Sequence, residues 1–365
     1  MEPVEINAGD LTVRPWRAED ADAVYRACQD PDIQRWTTVP APYTIEHADV
    51  FVADSAERWG DGLARFGVFD ATTGELLGAN GFVLRIGPTA EIGYWTAPWA
   101  RGRGVAERGT RAIARWAFAA ESITRLVWQA EVGNHVSRLV AERVGFTVDG
   151  VARAAIVGRD GGRSDGWVGS LLPGEIREAG DRPHTRTGTF VRPQPTLTAG
   201  DVRLRPIDPD RDLDAVVATA TDPETVRWTT VPTPISRADV AAFLRADLWT
   251  YGTGARFAVC GLDDAYAGTM DLRLDRDDAG LADVGYVTAP WARGRGHATA
   301  ALRAVSDWGF AAFGLKRIEW RAHVGNDGSR RAAEKAGFVY EGRQRAGCPQ
   351  RGTRHDCWLA ARVDG

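Results

Sequence analysis

Lysine is nearly missing from this chain: of 45 basic residues only Lys316 and Lys335 are lysine, a bias that a GC-rich genome explains without reference to function. Cysteine is scarce as well. Cys28, Cys260, Cys348 and Cys357 form no C-x-x-C pair, and four thiols in 365 residues read as free thiols of a reducing compartment. The six histidines are scattered, with no H-x-x-x-H and no Cys/His cluster, so no metal is expected. No apolar run approaches the roughly 18 residues of a membrane span. Met1 to Asp10 carries Glu2, Glu5 and Asp10 without an apolar run, which argues against a signal peptide. A net charge of −4 lacks the basic excess of a dedicated nucleic-acid binder. With 44% hydrophobic and 26% charged residues, disorder and a disulfide scaffold are both excluded. The expectation is a soluble cytoplasmic protein with neither membrane nor nucleic acid as partner.

What the chain does have, it has twice. Arg35-Trp36-Thr37-Thr38-Val39-Pro40 recurs 192 positions later as Arg227-Trp228-Thr229-Thr230-Val231-Pro232. At the same offset Gly93–Gly104 returns as Gly285–Gly296 with 11 of 12 residues identical. Val132-Gly133-Asn134 with Ser137-Arg138, and Gly145-Phe146, return as Val324-Gly325-Asn326 with Ser329-Arg330, and Gly337-Phe338. A constant offset across separated blocks means one fold duplicated rather than a short-period solenoid. Pro173 to Gly200 gathers prolines and glycines among polar residues, Pro183 included, so the division expected is a domain at 1–173, a linker at 174–199 and a domain at 200–365.

Each copy reads as mixed α/β. Strands are expected at Leu11–Trp16 (Val202–Pro206 in the second copy), Arg65–Phe69, Leu76–Ile86, Glu91–Thr96, Leu126–Val132, Phe146–Ala154 and Gly166–Leu172. A helix is expected over Glu19–Gln29, followed by a Pro-rich loop and a helix from Glu46; Ser236-Arg237-Ala238-Asp239 resembles a capping box for its second copy. From Gly104 the apolar period becomes helical, with Ala106, Gly109, Ile113, Trp116 and Ala120 on one face and Ala298, Ala301, Val305, Trp308 and Ala312 repeating it. Ser137–Val144 is a further helix.

Between that strand and that helix lies Arg101-Gly102-Arg103-Gly104-Val105-Ala106, repeated as Arg293-Gly294-Arg295-Gly296-His297-Ala298. Glycines here let successive backbone N–H groups point into one concavity, and the helix start adds positive potential, which suits a pyrophosphate. Arg-x-x-Gly-x-Ala after a strand, in a βααβββαβαββ succession, resembles the acyl-CoA site of the GNAT N-acetyltransferase superfamily. The Trp-Thr-Thr-Val-Pro segment, Glu91-Ile92-Gly93-Tyr94-Trp95, Asn134-x-x-Ser137 and Gly145-Phe146 before Asp149-Gly150 are similar to its RimJ/RimL-like, ribosomal-protein N-terminal acetyltransferase branch. Asp283-Val284-Gly285-Tyr286, Asn326-x-x-Ser329 and Gly337-Phe338 before Glu341-Gly342 are the second set. A tandem chain departs from the usual single-domain member.

The resemblance implies two tandem GNAT domains, each a mixed, mostly antiparallel sheet flanked by helices, using acetyl-CoA. It places the pyrophosphate on Arg101–Ala106 and Arg293–Ala298, and the pantetheine along Tyr94, Trp95 and Thr96 or Tyr286, Val287 and Thr288. Asn134 and Asn326 would contact the pantetheine arm, with Ser137 and Ser329 near the sulfur, able to reprotonate a leaving thiolate; both pairs are equally good helix caps. For the base, Glu91 and Asp283 come first and Asp149 and Glu341 second, although ion pairing with arginine is the commoner fate of such carboxylates. Trp36 and Trp228 fall where the family lines its acceptor pocket. His323, aligned with Glu131, reads as a polar sheet residue before a base. The function expected is direct acetyl transfer to a small-molecule or peptide amine in a ternary complex, by a monomer or homodimer. A non-catalytic acyl-CoA sensor or scaffold, or a transferase for longer acyl chains, is the alternative.

Overall fold

The computed structural model describes residues 1–181 and 186–365, so Pro183 lies outside the described residues. The chain divides into two compact units, Met1–Gly188 and Thr189–Gly365. In the first, β1 (Ile6–Ala8) and β2 (Leu11–Pro15) precede α1 (Ala21–Cys28), α2 (Pro31–Trp36) and α3 (Ile45–Glu57). Then come β3 (Leu63–Asp70), β4 (Leu76–Leu84), β5 (Thr89–Thr96), α4 (Val105–Ala120), β6 (Arg125–Glu131), α5 (His135–Val144), β7 (Thr147–Val157) and β8 (Arg163–Leu171). They build one eight-stranded sheet in the order β1-β2-β3-β4-β5-β6-β8-β7. Only β5–β6 is parallel, and α4 is its crossover.

After the short α6 (Thr187–Phe190), the second unit repeats the plan with β9 (Leu197–Ala199), β10 (Val202–Pro206), α7 (Leu213–Ala220), α8 (Pro223–Trp228), α9 (Arg237–Arg245) and α10 (Leu248–Tyr251). It continues through β11 (Gly254–Cys260), β12 (Tyr266–Leu274), β13 (Leu281–Thr288), α11 (His297–Phe313), β14 (Arg317–His323), α12 (Asp327–Lys335), β15 (Val339–Gln350) and β16 (Thr353–Val363). Its sheet runs β15-β16-β14-β13-β12-β11-β10-β9, with β13–β14 parallel. The mixed, mostly antiparallel sheet expected of each copy is present in both.

Local chemistry sets the helix limits. Asp30 accepts from the amides of Asp32 and Ile33 to start α2, with Pro31 in the first turn where its missing N–H costs nothing. Asp222-Pro223 does the same for α8. That Asp-Pro signal is legible in the sequence, and Arg35 and Trp36, in the segment expected to be a Pro-rich loop, are the last turn of α2. The helix expected over Glu19–Gln29 begins with a 3-10 turn at Ala18–Asp20 before α1. Ser236 and Asp239 form the reciprocal capping box foreseen for α9. The apolar stripe of α4 is buried at Ile113, Ala114 and Ala117, that of α11 at Ala301, Leu302 and Val305, each closing over Trp128 or Trp320 of the sheet.

Residues expected to link the copies are shared between them. Arg177 donates its backbone N–H to Val144 O at 2.9 Å and its Nη1 to Glu142 O at 2.7 Å in the first unit. Leu197–Ala199 instead edges the second sheet. The cysteine expectation also needs correction: Cys348 and Cys357 are joined in a disulfide across the β15–β16 hairpin, while Cys28 and Cys260 are free and buried. Burial pushes the Cys260 thiol up to about 11, so neither its position nor its charge state makes it a nucleophile. Among the described residues no helix is long and apolar enough to cross a membrane.

Candidate active site

The parallel strands of each sheet part company. Pairing of β5 with β6 runs from Thr89–Arg125 to Ile92–Trp128, but β5 continues to Thr96 and β6 to Glu131. Pairing of β13 with β14 ends at Val284–Trp320 in the same way, with Thr288 and His323 as the strand ends. Backbone N–H and C=O groups along such a gap must find partners outside the ladder, and an amide-bearing ligand can supply them as an added strand. Tyr94–Thr96 and Tyr286–Thr288, the segments expected along the pantetheine, form one lip of each gap.

At the open end of each gap lies the glycine turn. Gly102 and Gly104 have φ of +77° and +68°, Gly294 and Gly296 +76° and +82°, values that glycine adopts without the steric cost of a Cβ. A Cβ on Gly102, Gly294 or Gly296 would meet nothing within 4 Å, so backbone conformation rather than crowding selects glycine there. Neither α4 nor α11 has a side-chain cap, which leaves first-turn amides directed at whatever occupies the turn. His297 Nδ1, on the first residue of α11, is buried without a partner. Val105 and Ala106 are buried behind the turn. Arg101 is held by Asp30 and by Asp32 at 3.2 Å, and Arg103 by Asp70 at 3.3 Å. Arg293 pairs with Asp222 and donates to Thr225 Oγ1 at 3.1 Å, while Arg295 is exposed. The Arg293 guanidinium beside Asp222 holds that carboxyl below its usual range. These are surface pairs of small net worth, which a pyrophosphate can displace.

Inside the gap the two copies build the same polar cluster. Tyr94 Oη donates to Ser137 O at 2.8 Å, and Ser137 Oγ lies between Trp128 Nε1 at 3.1 Å and Tyr94 Oη at 3.2 Å. Tyr286 Oη donates to Ser329 O at 3.1 Å and lies 2.8 Å from Ser329 Oγ. Burial raises both phenols above their ordinary value, so each remains a proton donor at neutral pH. Asn134 and Asn326 are occupied as caps: their Oδ1 atoms accept from the amides of Ser137 and Ser329 at 3.1 and 3.2 Å. The sequence places Tyr94 and Tyr286 by their backbone alone, and the role of the phenol emerges only in the fold. Its signal was a tyrosine inside a strand ending at the glycine turn.

All four candidate bases are in ion pairs. Glu91 accepts from Arg85 at 2.7 Å, and Asp283 from Arg273, directly across the β12–β13 ladder. Asp149 lies 3.6 Å from Arg125 and accepts from Ser170 at 3.2 Å. Glu341 takes both guanidinium nitrogens of Arg317, which holds its carboxyl below the usual range. Arg125 and Arg317 begin β6 and β14, three residues before the last paired rung of each parallel ladder, or about 10 Å at strand rise. Asp149 and Glu341 are therefore at the closed end of the sheet, away from the gap.

The second unit opens into a cleft of about 1450 Å³ that passes from Trp228 and Glu224 across Asp283, Tyr286 and His323 to Arg293 and His297. In the first unit, Trp36 ends α2 beneath the Arg35 guanidinium, 4.2 Å from its ring. Arg35 reaches on to Glu131, the last residue of β6, with two hydrogen bonds of 2.8 Å that hold the Glu131 carboxyl low. At the matching position the second unit has His323.

The profile of the acetyltransferase (GNAT) domain family matches residues 10–147 and again 201–339. A protein of Bacillus subtilis named "Putative ribosomal N-acetyltransferase YdaF" is 42% identical over 64 residues, 18% of this chain and 35% of its own length. The chain thus aligns with about a third of that relative. An "Uncharacterized N-acetyltransferase p20" of Bacillus licheniformis is 27% identical over 150 residues, 40% of this chain and 84% of its own. Among solved structures, the microcin C7 self-immunity acetyltransferase MccE in complex with acetyl-CoA and AMP aligns at a TM-score of 0.42 and 21% identity, covering 45% of this chain and 92% of that one.

Proposed function

The chain belongs to the GNAT acetyltransferase family in both of its halves, and from that premise we propose that it moves an acetyl group from acetyl-CoA directly to a primary amine held in the same complex. Support comes from the coincidence, twice in one chain, of an unpaired strand gap, an uncapped glycine turn at its mouth and a half-buried phenol at its floor. Acetyl-CoA supplies the activated acetyl as a thioester. The turns Arg101–Ala106 and Arg293–Ala298 hold its phosphates, and the lips Tyr94–Thr96 and Tyr286–Thr288 align its amide arm and offer a backbone N–H to the developing oxyanion. Tyr94 or Tyr286 gives a proton to the departing sulfur, with Ser137 or Ser329 relaying its replacement. Neither free cysteine is placed for a covalent acyl-enzyme, which favours direct transfer.

An α-amine suits this site better than a lysine side chain. At pH 7 an α-amine of pKa near 8 is about 10% neutral, whereas an ε-amine near 10.4 is about 0.04% neutral. Incubation with acetyl-CoA and a set of short peptides, with free and with blocked amino termini, should release CoA thiol and yield monoacetylated product only from the free termini. Binding of acetyl-CoA without thiol release from any amine would instead identify an acyl-CoA sensor. Tyr286→Phe should lower the released-thiol rate about 10- to 100-fold with acetyl-CoA affinity retained.

A further inference from the structure

We propose that the second unit is the copy that turns over and that His323 is its general base, taking the proton from the acceptor amine; this rests on the transferase reading above. His323 is the last residue of β14, beyond the final rung at Val284–Trp320, and it lines the cleft together with Tyr286. Successive residues of a strand face opposite ways. Trp320 and Ala322 belong to the buried core, so Glu319, Arg321 and His323 share the other face. Tyr286 is on the side of Ser329 and α12, whereas His323 stacks on His355 of β16 with ring centroids 5.0 Å apart. Acid and base therefore reach the gap from opposite faces, one placed to serve the incoming nitrogen and the other the departing sulfur.

The surroundings keep the ring neutral. His323 is 8% exposed. Burial first, then the charges of His355 and Arg351, bring it below the ordinary histidine value. Of the charged groups on this side of the cleft, Glu319 pairs with Arg317 and Arg321 and Glu224 with Arg227, while Arg351 donates to the carbonyls of Val226 and Val231. A neutral imidazole is free to accept a proton from the amine. The first unit has Glu131 here, clamped by Arg35 and a weaker base for it.

The protons balance. His323 takes one from the ammonium, the neutral nitrogen adds to the thioester carbonyl, and the tetrahedral oxyanion so formed collapses as the C–S bond breaks. Tyr286 protonates the sulfur, the nitrogen's surplus proton returns to Tyr286 through Ser329 or water, and the imidazolium releases its own to solvent.

The test is enzyme-dependent thiol release from acetyl-CoA, measured above a no-enzyme control because hydroxylamine cleaves thioesters by itself, with two small amines, glycinamide and hydroxylamine, the second already unprotonated at neutral pH. His323→Gln should lower kcat/KM for glycinamide about 100-fold and erase the acid limb of its pH profile, while hydroxylamine loses less than about fivefold. Glu131→Gln should leave both rates unchanged. Acetyl-CoA titration of each variant reports that the fold and cofactor site persist, and the His323 ring resonance of the wild type should titrate below the usual histidine range. Equal glycinamide rates and profiles for wild type and His323→Gln overturn the inference while the transferase reading stands. A wild type that binds acetyl-CoA but releases no thiol above the no-enzyme control with either amine overturns both.

Discussion

Gly296→Glu is expected to abolish amine-dependent thiol release, whereas Gly104→Glu leaves most of it. Both glycines have positive φ, and a Cβ there meets open space at Gly296 and only Arg108 Nε at 4.0 Å at Gly104. The fold should therefore lose no more than the roughly 1–2 kcal/mol of a left-handed non-glycine residue. A carboxylate at the helix start faces the phosphates directly, and like charges so placed cost several kcal/mol, which lowers acetyl-CoA affinity at that copy about 100-fold or more. Since His323 is in the second copy only, the two substitutions should cost the same binding but very different turnover. Steady-state rates and thermal melts on both variants check this. Equal loss of turnover would mean that both copies contribute to catalysis.

The second large effect concerns stability. Arg205 donates to both oxygens of Asp212 at 2.7 and 2.6 Å, with side chains 9% and 2% exposed. Arg14 and Asp20 are the first-unit counterpart, at 2.8 and 2.9 Å. Arg205→Met leaves Asp212 buried beside Asp264 without its counter-ion, a loss of about 3–5 kcal/mol in unfolding free energy. Arg205→Met with Asp212→Leu should recover most of it, because an apolar pair of similar volume avoids the stranded charge. Denaturant unfolding of the single and double variants measures both. A single variant within 1 kcal/mol of wild type, as for an exposed pair, would contradict the account.

Proton occupancy of His323 adds a smaller stability effect. Its value in the folded state is depressed, so the unfolded chain binds more protons as pH falls below the ordinary histidine range. Stability is fully present above that range and declines as pH drops through the folded value. His323→Gln should flatten this decline.

The repeat carried most of what the sequence could tell. Nearly identical strand–turn blocks at a fixed offset located the glycine turns, whose positive φ glycine adopts without steric cost. Apolar period located α4 and α11, because burial of one helix face is written in side chains. Other features were not legible. The ends of the parallel ladders depend on where two strands diverge, which no residue type marks. The carboxylates Glu91, Asp149, Asp283 and Glu341 looked like bases because their arginine partners are 6 to 24 residues away and meet them only across the sheet. His323 looked like a sheet residue because its stack on His355 and the gap beside Trp320 exist only after folding.

Calorimetric titration of acetyl-CoA into the intact chain, freed of any carried-over CoA, tests most directly that both gaps are acyl-CoA cradles. Two sites per chain are predicted, one lost in Gly104→Glu and the other in Gly296→Glu. No saturable heat, or a single site untouched by either substitution, would contradict the account.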